Sequence, residues 1–317
     1  MSADGQARRV LVTGASGFVG RHTLAPLLAQ GFEVHAACRH RIDGGPPEVI
    51  WHTADLLDHR AASALVDRVR PSHLLHLAWT VTPGLFWRAA ANLDWVAASL
   101  LLYRAFAEAG GRRLVVTGTC AEYDWDHALL DEASTPCRPS TLYGVAKHAL
   151  HQVLDAAARQ DGLSLGWGRL FFMYGPHEAP GRLVPDVTLS LLRGQPALCG
   201  DGKAERDFMA IEDVAAALVA VLASDHHGAV NIASGRCVPL SEVILGIADV
   251  IGRRDLVRLG ARPPAPHDPA RLAASTVVLH DRIGFRSCRG LLNGLAATVD
   301  WWRDEQNAHV ACTANPL

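Results

Sequence analysis

The chain has 317 residues and a mass of 34.0 kDa, a length typical of two domains or of one large domain with an appended lobe. Hydrophobic residues make up 49% and charged residues 20%, which excludes a globally disordered chain. The formal net charge of -2 gives no electrostatic basis for binding nucleic acid or a membrane surface. Of the 30 basic residues only two, Lys147 and Lys203, are lysines.

The cysteines and the apolar segments indicate the cellular compartment of the protein. Seven cysteines are scattered without a CxxC pair, which is typical of reduced thiols rather than of a disulfide framework or a zinc site. Glycines interrupt the N-terminal segment, so it lacks the apolar stretch of a signal peptide. The longest purely apolar run, 214–223, is far shorter than the ~18 residues that suggest a membrane span. The sequence therefore predicts a soluble, cytoplasmic protein without a membrane partner.

The first half of the chain alternates short β-branched runs with longer amphipathic segments. The pattern predicts strands at 9–13, 33–38, 48–52, 72–77, 113–117 and 163–171, and helices at 18–30, 58–69, 85–109 and 142–159. Strands that alternate with helices predict an α/β fold, here a Rossmann-type doubly wound parallel sheet with helices on both faces.

After residue 171 this regularity breaks, because four prolines between 176 and 196 mark loops and short elements. Helices are predicted at 211–223, 240–251 and 291–303, with a strand at 229–232 that rejoins the sheet. The pattern predicts a Rossmann domain of residues 1–171 plus about 207–238. A smaller substrate-binding lobe takes about 172–206 plus 239–306, and 307–317 forms a loose tail.

Three glycines lie between the first predicted strand and the first helix, at Gly14, Gly17 and Gly20. A GxxGxxG pattern in this context is typical of a dinucleotide-binding loop. Gly14 and Gly17 would let a pyrophosphate approach the backbone, and Gly20 would let the helix lie close to the sheet. The N-terminus of the helix would then bind phosphate through its free N–H groups.

The second predicted strand ends in Cys38-Arg39-His40-Arg41, without the acidic residue that usually binds the ribose 2′-hydroxyl of NAD. Arg39 and Arg41 carry bidentate donors suited to a 2′-phosphate. The sequence therefore favours NADP(H), with NAD(H) as the alternative if the arginines form a solvated basic loop. Asp55, after the third strand, is a candidate contact for the adenine amino group or else a helix N-cap.

Tyr143 and Lys147 lie four residues apart at the start of a predicted helix, and therefore on one helical face. Hydride transfer to a ketone creates an alkoxide that needs a proton, and a nearby ammonium lowers the pKa of a tyrosine by favouring the phenolate. Thr119 follows the preceding strand and could hydrogen-bond the substrate carbonyl, because open α/β sheets bind ligands at the carboxyl ends of their strands. In a chain with two lysines, finding one at this position strengthens the motif.

Together these segments resemble the extended short-chain dehydrogenases/reductases of the NAD-dependent epimerase/dehydratase type. The resemblance covers about residues 9–304. It rests on TGASGFVG at 13–20, HLAW at 76–79, TGTCAEY at 117–123, YGVAK at 143–147, RLFFMYGPH at 169–177 and GDGKAERDFMAIEDVAAA at 200–217. It implies a nucleotide-sugar substrate with its nucleotide in the C-terminal lobe, and a homodimer formed by the helices at 85–109 and 142–159. An intrachain core would give the same apolar stripes on those helices.

The resemblance assigns site residues. The implied catalytic residues are Thr119, Tyr143 and Lys147. The implied cofactor-binding residues are Gly14, Ser16, Gly17, Phe18, Val19, Gly20, Arg39, Arg41, Asp55, Leu56, Leu77, Ala78, Trp79, Tyr143 and Lys147. The implied substrate contacts are Thr80, Thr119, Cys120, His177, Arg182, Arg206 and Arg271, of which Arg206 is the expected diphosphate contact. No metal site is expected, because His148 and His151 share a helical face without an evident third ligand.

Departures from the family pattern narrow the expected reaction. Dehydratases of this family carry Asp-Glu after the catalytic Thr, where this chain has Cys120 and Ala121. Glu122 comes one place late, and on a strand it would point to the opposite face. Double epimerases of the fucose-synthase type use a Cys at the place of Ala121, although His177 matches their histidine. Neither dehydration nor double epimerisation is therefore expected.

Two bulky residues suggest an apolar sugar such as a 6-deoxyhexose. Phe172 stands where UDP-galactose-type epimerases have Asn, and Trp79 replaces a small residue near the nicotinamide; Trp87 and Trp95 are interpreted as helix packing. The expected function is NADP(H)-dependent reduction of the 4-keto group of a nucleotide-linked 6-deoxysugar, with Tyr143 as proton donor. A nucleotide-sugar 4-epimerase with tightly bound NAD is the alternative, and a non-catalytic dinucleotide-binding protein is a remote one.

Overall fold

In the computed structural model the described residues are 8–40, 45–263 and 268–313, with side chains described up to residue 308. The strands in chain order are β1 (Arg9–Thr13), β2 (Glu33–Cys38), β3 (Ile50–Thr53), β4 (His73–His76), β5 (Arg113–Thr119), β6 (Leu129–Leu130), β7 (Ser164–Leu170), β8 (Phe172–Tyr174), β9 (Ala197–Leu198), β10 (Glu205–Ala210), β11 (Gly228–Ile232), β12 (Cys237–Pro239), β13 (Val257–Arg258) and β14 (Arg271–Ala274). The helices are α1 (Phe18–Ala29), α2 (His59–Val69), α3 (Ala91–Glu108), α4 (Leu142–Asp161), α5 (Leu183–Leu192), α6 (Ile211–Ala223), α7 (Leu240–Ile251) and α8 (Leu291–Thr313). No helix within these described ranges is long and apolar enough to cross a membrane.

Seven parallel strands form the main sheet in the order β11-β7-β5-β4-β1-β2-β3. The interior strand β5 is buried at every position, as expected for a strand covered on both faces. One apolar cluster joins the sheet to α1 and α6, and another joins it to α2, α3 and α4. The predicted Rossmann-type doubly wound sheet is confirmed, and β11 completes its edge as the sequence suggested.

A second sheet has the order β12-β10-β14-β6, with β8 also paired to β10. Helices α5, α7 and α8 share a separate core with it. The sequence pattern missed α5 because Pro185 signals a loop, but that proline lies in the first helical turn, where proline is tolerated. Helix α8 continues past the predicted end at residue 303 to Thr313, through part of the segment expected to be loose. The proposed division into two domains stays a prediction.

The predicted helix 85–109 begins later than expected, at Ala91. The side-chain amide of Asn92 donates hydrogen bonds to the carbonyls of Phe86 and Ala89, at 2.8 and 2.9 Å, and so holds the preceding residues in turns. Gly84, with a φ of +77°, helps to start these turns in a backbone conformation that favours glycine. The loop 80–90 therefore crosses the carboxyl edge of the main sheet, beside the start of α4.

Candidate active site

The turn between β1 and α1 requires its glycines for backbone packing. Gly14 has a φ of +67°, and a Cβ there would lie 2.8 Å from the backbone nitrogen of Ala78. A Cβ on Gly20 would lie 2.1 Å from the carbonyl oxygen of Gly14, so this glycine permits the tight turn rather than the helix–sheet contact suggested by the sequence. Gly17 is the N-cap of α1 and makes no side-chain capping bond, which leaves the first-turn N–H groups open to an anion. The predicted loop residues Ser16, Phe18 and Val19 lie on this same turn, which fits a dinucleotide diphosphate.

Side-chain hydrogen bonds join the end of β4 to the end of β1. The hydroxyl of Thr13 lies 2.6 Å from Nδ1 of His76 and accepts the N–H groups of Leu77 and Ala78, at 3.2 and 3.4 Å. Burial lowers the pKa of His76 to about 3, so the ring is neutral. These bonds place Leu77, Ala78 and the following Trp79 directly beside the glycine turn.

The residues predicted to hold the adenosine half of the cofactor lie after β2 and β3. Arg39 is exposed, and Arg41 lies outside the described residues. Leu56 is buried, whereas Asp55 is exposed and accepts a backbone hydrogen bond two residues along. The N-cap of α2 is Asp58, so the alternative interpretation of Asp55 as the N-cap is wrong.

Tyr143 and Lys147 lie on the first turns of α4 and are both buried. The Lys147 ammonium donates to the carbonyl of Thr117 at 2.7 Å, and burial lowers its pKa to about 7. Burial also raises the pKa of Tyr143, while a hydrogen bond with Thr119 lowers it in part. Without cofactor the phenol is therefore protonated, which is the state that a proton donor needs.

Aromatic rings surround Tyr143. The ring centroids of Phe86, Trp87 and Trp79 lie 4.9, 5.8 and 6.4 Å from that of Tyr143, and Trp125 packs edge-on against Trp87. We call Trp79, Phe86, Trp87 and Trp125 the aromatic wall. The interpretation of Trp87 as helix packing is wrong, because Trp87 lies in the loop 80–90 and its carbonyl accepts the N–H of Tyr143 at 3.1 Å.

Trp79 is held from both sides. Its indole N–H donates to Asn92 at 2.9 Å, and its ring stacks on Trp95 of α3, 6.1 Å away between centroids. The Lys147 ammonium lies 3.7 Å from the centroid of the same ring, a cation–π contact. Trp95 in turn donates to the hydroxyl of Thr80 at 2.8 Å, so the predicted substrate contact Thr80 lies behind the aromatic wall.

Of the other predicted substrate contacts, Arg182 lies beside the wall, with its guanidinium 5.2 Å from the Phe86 ring centroid. Cys120 is buried next to Thr119, and burial raises the pKa of its thiol to about 12. His177 has a φ of +70° and packs instead between α1 and α8, 4.5 Å from the ring of Trp301.

The predicted diphosphate contacts lie on the second sheet. Arg206 is 3% exposed, donates to Asp268 at 2.6 Å and lies 5.5 Å from the Phe172 ring centroid. Arg271, on the neighbouring β14, is 55% exposed and pairs with Glu205 at 3.4 Å. The second lysine, Lys203, is 86% exposed. Arg206 is therefore a buried cation of the second sheet, whereas Arg271 is half exposed on the neighbouring strand.

Two buried carboxylates close to predicted site residues were not themselves predicted from the sequence. Glu122 does not lie on a strand but closes a 3₁₀ turn, Cys120–Glu122, where it is fully buried behind Thr119. Glu178 is buried beside His177, and its Oε2 has no hydrogen-bond partner among the described residues. Burial raises the pKa of Glu178 to about 8. The periodic hydrophobic pattern of the sequence reveals neither residue, because each lies in an irregular segment.

Glu122 also supplies the third ligand atom that the histidine pair lacked, since Glu122, His148 and His151 offer atoms within 4.8 Å of one another. Both oxygens of this carboxylate already accept hydrogen bonds, and one is bonded to the guanidinium of Arg169. A cation placed there would have to displace another cation, so these residues do not fit a metal ion. The absence of a metal site stays a prediction.

Comparison with known proteins connects this geometry with a family. The model of the NAD dependent epimerase/dehydratase family matches residues 10–233. The chain is 29% identical over 238 residues to a dTDP-6-deoxy-L-talose 4-dehydrogenase (NAD(+)) from Aggregatibacter actinomycetemcomitans, covering 72% of this chain and 84% of that protein. It is 26% identical to the UDP-glucose 4-epimerase of Azospirillum brasilense, covering 93% and 91% of the two chains.

A solved structure extends the match to three dimensions. The UDP-glucose 4-epimerase of Thermus thermophilus, determined in complex with NAD, superposes with a TM-score of 0.83 at 27% identity, covering 93% of this chain and 99% of that one. The glycine turn, the Tyr143–Lys147 pair and the doubly wound sheet all lie within the part of the chain that these comparisons cover. The chain belongs to the NAD-dependent epimerase/dehydratase family.

Proposed function

We propose that this protein reduces the 4-keto group of a nucleotide-linked 6-deoxysugar with NADP(H), and that Tyr143 donates the proton. The observation that carries the proposal is the aromatic wall beside the buried Tyr143. A methyl group on the sugar packs well against indole and phenyl rings, whereas a hydroxymethyl group would lose its hydrogen-bond partners there. The name of the Aggregatibacter relative also specifies a dTDP-6-deoxysugar and a redox reaction at position 4.

The residues divide the chemistry between them. A bound reduced nicotinamide cofactor supplies the hydride. The Thr119 hydroxyl binds the substrate carbonyl oxygen, and Tyr143 gives that oxygen its proton. The ammonium of Lys147 stabilises the resulting phenolate, and the aromatic wall keeps water from the reacting atoms. The glycine turn, with its open helix N-terminus, fits the cofactor diphosphate.

A nucleotide-sugar 4-epimerase with tightly bound NAD is the second candidate function. The similarity to the two UDP-glucose 4-epimerases, one of them solved with NAD, favours it. Epimerisation oxidises and then reduces the same carbon, so it consumes no cofactor, whereas the proposed reductase consumes one per turnover. Cofactor stoichiometry therefore separates the two functions.

The test incubates purified protein with dTDP- and GDP-linked 4-keto-6-deoxyhexoses and either NADPH or NADH. We expect stoichiometric oxidation of NADPH and a reduced sugar as product. Conversion of a UDP-hexose without net cofactor use would show the epimerase instead. Cofactor binding without turnover of either substrate class would leave the non-catalytic alternative.

The matched control is Tyr143→Phe, which removes only the phenolic hydroxyl. We expect this variant to lose turnover by about a thousandfold, in the middle of the range for general acid catalysis, while still binding cofactor. Turnover that survives the substitution would show that Tyr143 is not the proton donor.

The proposed compartment is the cytoplasm. Six cysteines with described positions are all present as thiols, which suits a reducing environment. The nucleotide-sugar substrate is the proposed partner, together with a second copy of the chain.

A further inference from the structure

Glu122 is a buried carboxylate whose hydrogen bonds and ion pair all involve Thr119 and two residues of the neighbouring strand β7. Its Oε1 accepts the backbone N–H of Thr119 at 2.8 Å, and its Oε2 accepts Nε of Arg169 at 3.0 Å. The indole N–H of Trp167 lies 3.0 and 3.1 Å from the two oxygens. The side chains of Glu122 and Arg169 are 0% and 4% exposed, so the ion pair is isolated from water.

The same turn fixes the hydroxyl of Thr119. Thr119 is the N-cap of the 3₁₀ turn, and its Oγ1 accepts the N–H of Ala121 at 3.2 Å. Because Ala121 fills an acceptor site of this oxygen, the hydroxyl proton is left for Tyr143 or for a substrate carbonyl. Glu122 completes a capping box by binding the Thr119 N–H from the other end of the turn.

Two glycines make room for this arrangement. A Cβ on Gly118 would lie 2.4 Å from Oε1 of Glu122 and 2.1 Å from the indole nitrogen of Trp167. A Cβ on Gly144, next to Tyr143, would lie 2.4 Å from the carbonyl oxygen of Ala121. The turn is thus in direct contact with β5 on one side and with α4 on the other. A displacement of the turn would change the distance between Thr119 and Tyr143.

The stability of the fold does not by itself explain why Glu122 and Arg169 form a buried ion pair. A buried ion pair is often no more stabilising than apolar side chains of the same volume, because both charges lose their hydration. A carboxylate does, however, impose directions on three donors at once, which an apolar side chain cannot do.

We propose that Glu122 is a positioning residue whose carboxylate, neutralised by Arg169, holds Thr119 in the orientation in which its hydroxyl meets Tyr143 and the substrate carbonyl. The proposal rests on the proposed function for the identity of the substrate. The proposed orientation of Thr119 relative to Tyr143 does not depend on which sugar is bound.

The first experiment compares crystal structures of the wild type and of Glu122→Gln, both with NADPH. The substitution keeps the volume but replaces one oxygen by an NH₂ group, which cannot accept a hydrogen bond from Arg169 or Thr119. We expect the separation between Thr119 Oγ1 and Tyr143 Oη to open beyond about 3.5 Å, out of hydrogen-bond reach. An unchanged separation would overturn the proposal. If Glu122→Gln does not fold, the double variant Glu122→Met/Arg169→Met removes both charges, and the same separation is measured.

The second experiment measures kcat, KM and the Kd for NADPH well below the melting temperature of each variant. We expect Glu122→Gln to lower kcat for the 4-keto-6-deoxysugar by about tenfold or more, with the Kd for NADPH within about twofold of the wild type. The control is Asp213→Asn, which neutralises another buried carboxylate that accepts four hydrogen bonds, from residues 287–289. It should lower Tm and leave kcat within about threefold of the wild type.

Equal kcat losses in the two variants, or an unchanged kcat in Glu122→Gln, would overturn the positioning role. A wild type that reduces no 4-keto sugar would reject the proposed function alone. In that case the crystallographic distance still decides whether Glu122 positions Thr119.

Discussion

Glu178 is the residue whose ionisation the fold opposes most directly. Burial raises its carboxyl pKa from an ordinary value of 4.5 to about 8, and one oxygen is unpartnered among the described side chains. As pH rises from about 5 to 8, the unfolded chain loses this proton while the folded chain keeps it. The unfolded state then binds fewer protons, so the free energy of unfolding falls by up to about 1.4 kcal/mol per pH unit.

Glu178→Gln should remove this pH dependence, because an amide carries no titrating proton. We expect the variant and the wild type to have similar urea-unfolding free energies at pH 5 and the variant to be more stable at pH 8. The exposed Asp304→Asn serves as control and should change neither value appreciably. A difference between Glu178→Gln and the wild type that does not grow with pH would contradict the assigned burial.

We expect the choice between the cofactors to depend on Arg39, which is exposed directly after β2. A guanidinium at the end of β2 binds a 2′-phosphate bidentately but gains little from a 2′-hydroxyl. Arg39→Ala should raise KM for NADPH by about tenfold and leave KM for NADH within about twofold. Arg254→Ala, in the C-terminal part of the chain, is the matched control. An unchanged KM for NADPH would remove Arg39 from the cofactor site.

The sequence predicted that Tyr143 and Lys147 lie together because a four-residue spacing defines a helical face without further information. It missed the position of Glu122 beside Thr119 because the prediction placed this residue on a strand, where its side chain would face away. The 3₁₀ turn after β5 is closed by a capping box, and the Glu122 carboxylate of that box also binds Arg169 on β7. Such a contact joins residues far apart in the chain, and local patterns do not contain it.

The turn between β1 and α1 is the element with the least room for substitution. A Cβ on Gly20 would meet the carbonyl of Gly14 at 2.1 Å, and backbone atoms cannot move aside as a flexible side chain can. Gly20→Ala should therefore distort the turn and lower NADPH affinity by at least about tenfold. Fluorescence titration with NADPH measures the change.

The control for this substitution is Gly290→Ala, because a Cβ on Gly290 meets nothing within 4 Å. It should bind NADPH as the wild type does. If Gly20→Ala also bound normally, the close approach of the turn to α1 would not be needed for the cofactor site.

Elements whose hydrophobic period was clear were predicted to within a few residues, among them β1, β2, α6 and α7. The start of α3 was not, because residues 85–90 are apolar apart from Arg88 and extend the helical pattern. Their conformation is decided by Asn92, whose side-chain amide binds two of their carbonyls. Because these hydrogen bonds keep residues 85–90 out of the helix, Trp87 belongs to the aromatic wall instead of packing on a helix.

At the scale of the whole molecule, helices α3 and α4 together expose an apolar face. Leu93 and Leu101 on α3 and Val145 and Val153 on α4 are 60, 43, 46 and 50% exposed, and on each helix the two residues are spaced for one face. The two helices pack side by side, so an intrachain core does not account for these four residues. A second copy of the same face would cover them, which supports the proposed homodimer.

The double variant Leu93→Glu/Val153→Glu should convert a dimeric protein into a monomer in light scattering after gel filtration, because four charges would be buried in a symmetric interface. Leu292→Glu, at another exposed position on α8, should leave the dimer intact. A wild type that is monomeric at micromolar concentration would contradict the homodimer.

The two lysines differ sharply in their surroundings, since Lys147 is 3% exposed on α4 while Lys203 is 86% exposed. Amine-reactive esters should therefore couple to Lys203 and spare Lys147. Because Arg supplies the other 28 basic residues, Lys203 is the exposed one of two lysines and offers an attachment point for a dye or a solid support. Protein immobilised in this way would keep Lys147 unmodified without any engineered tag.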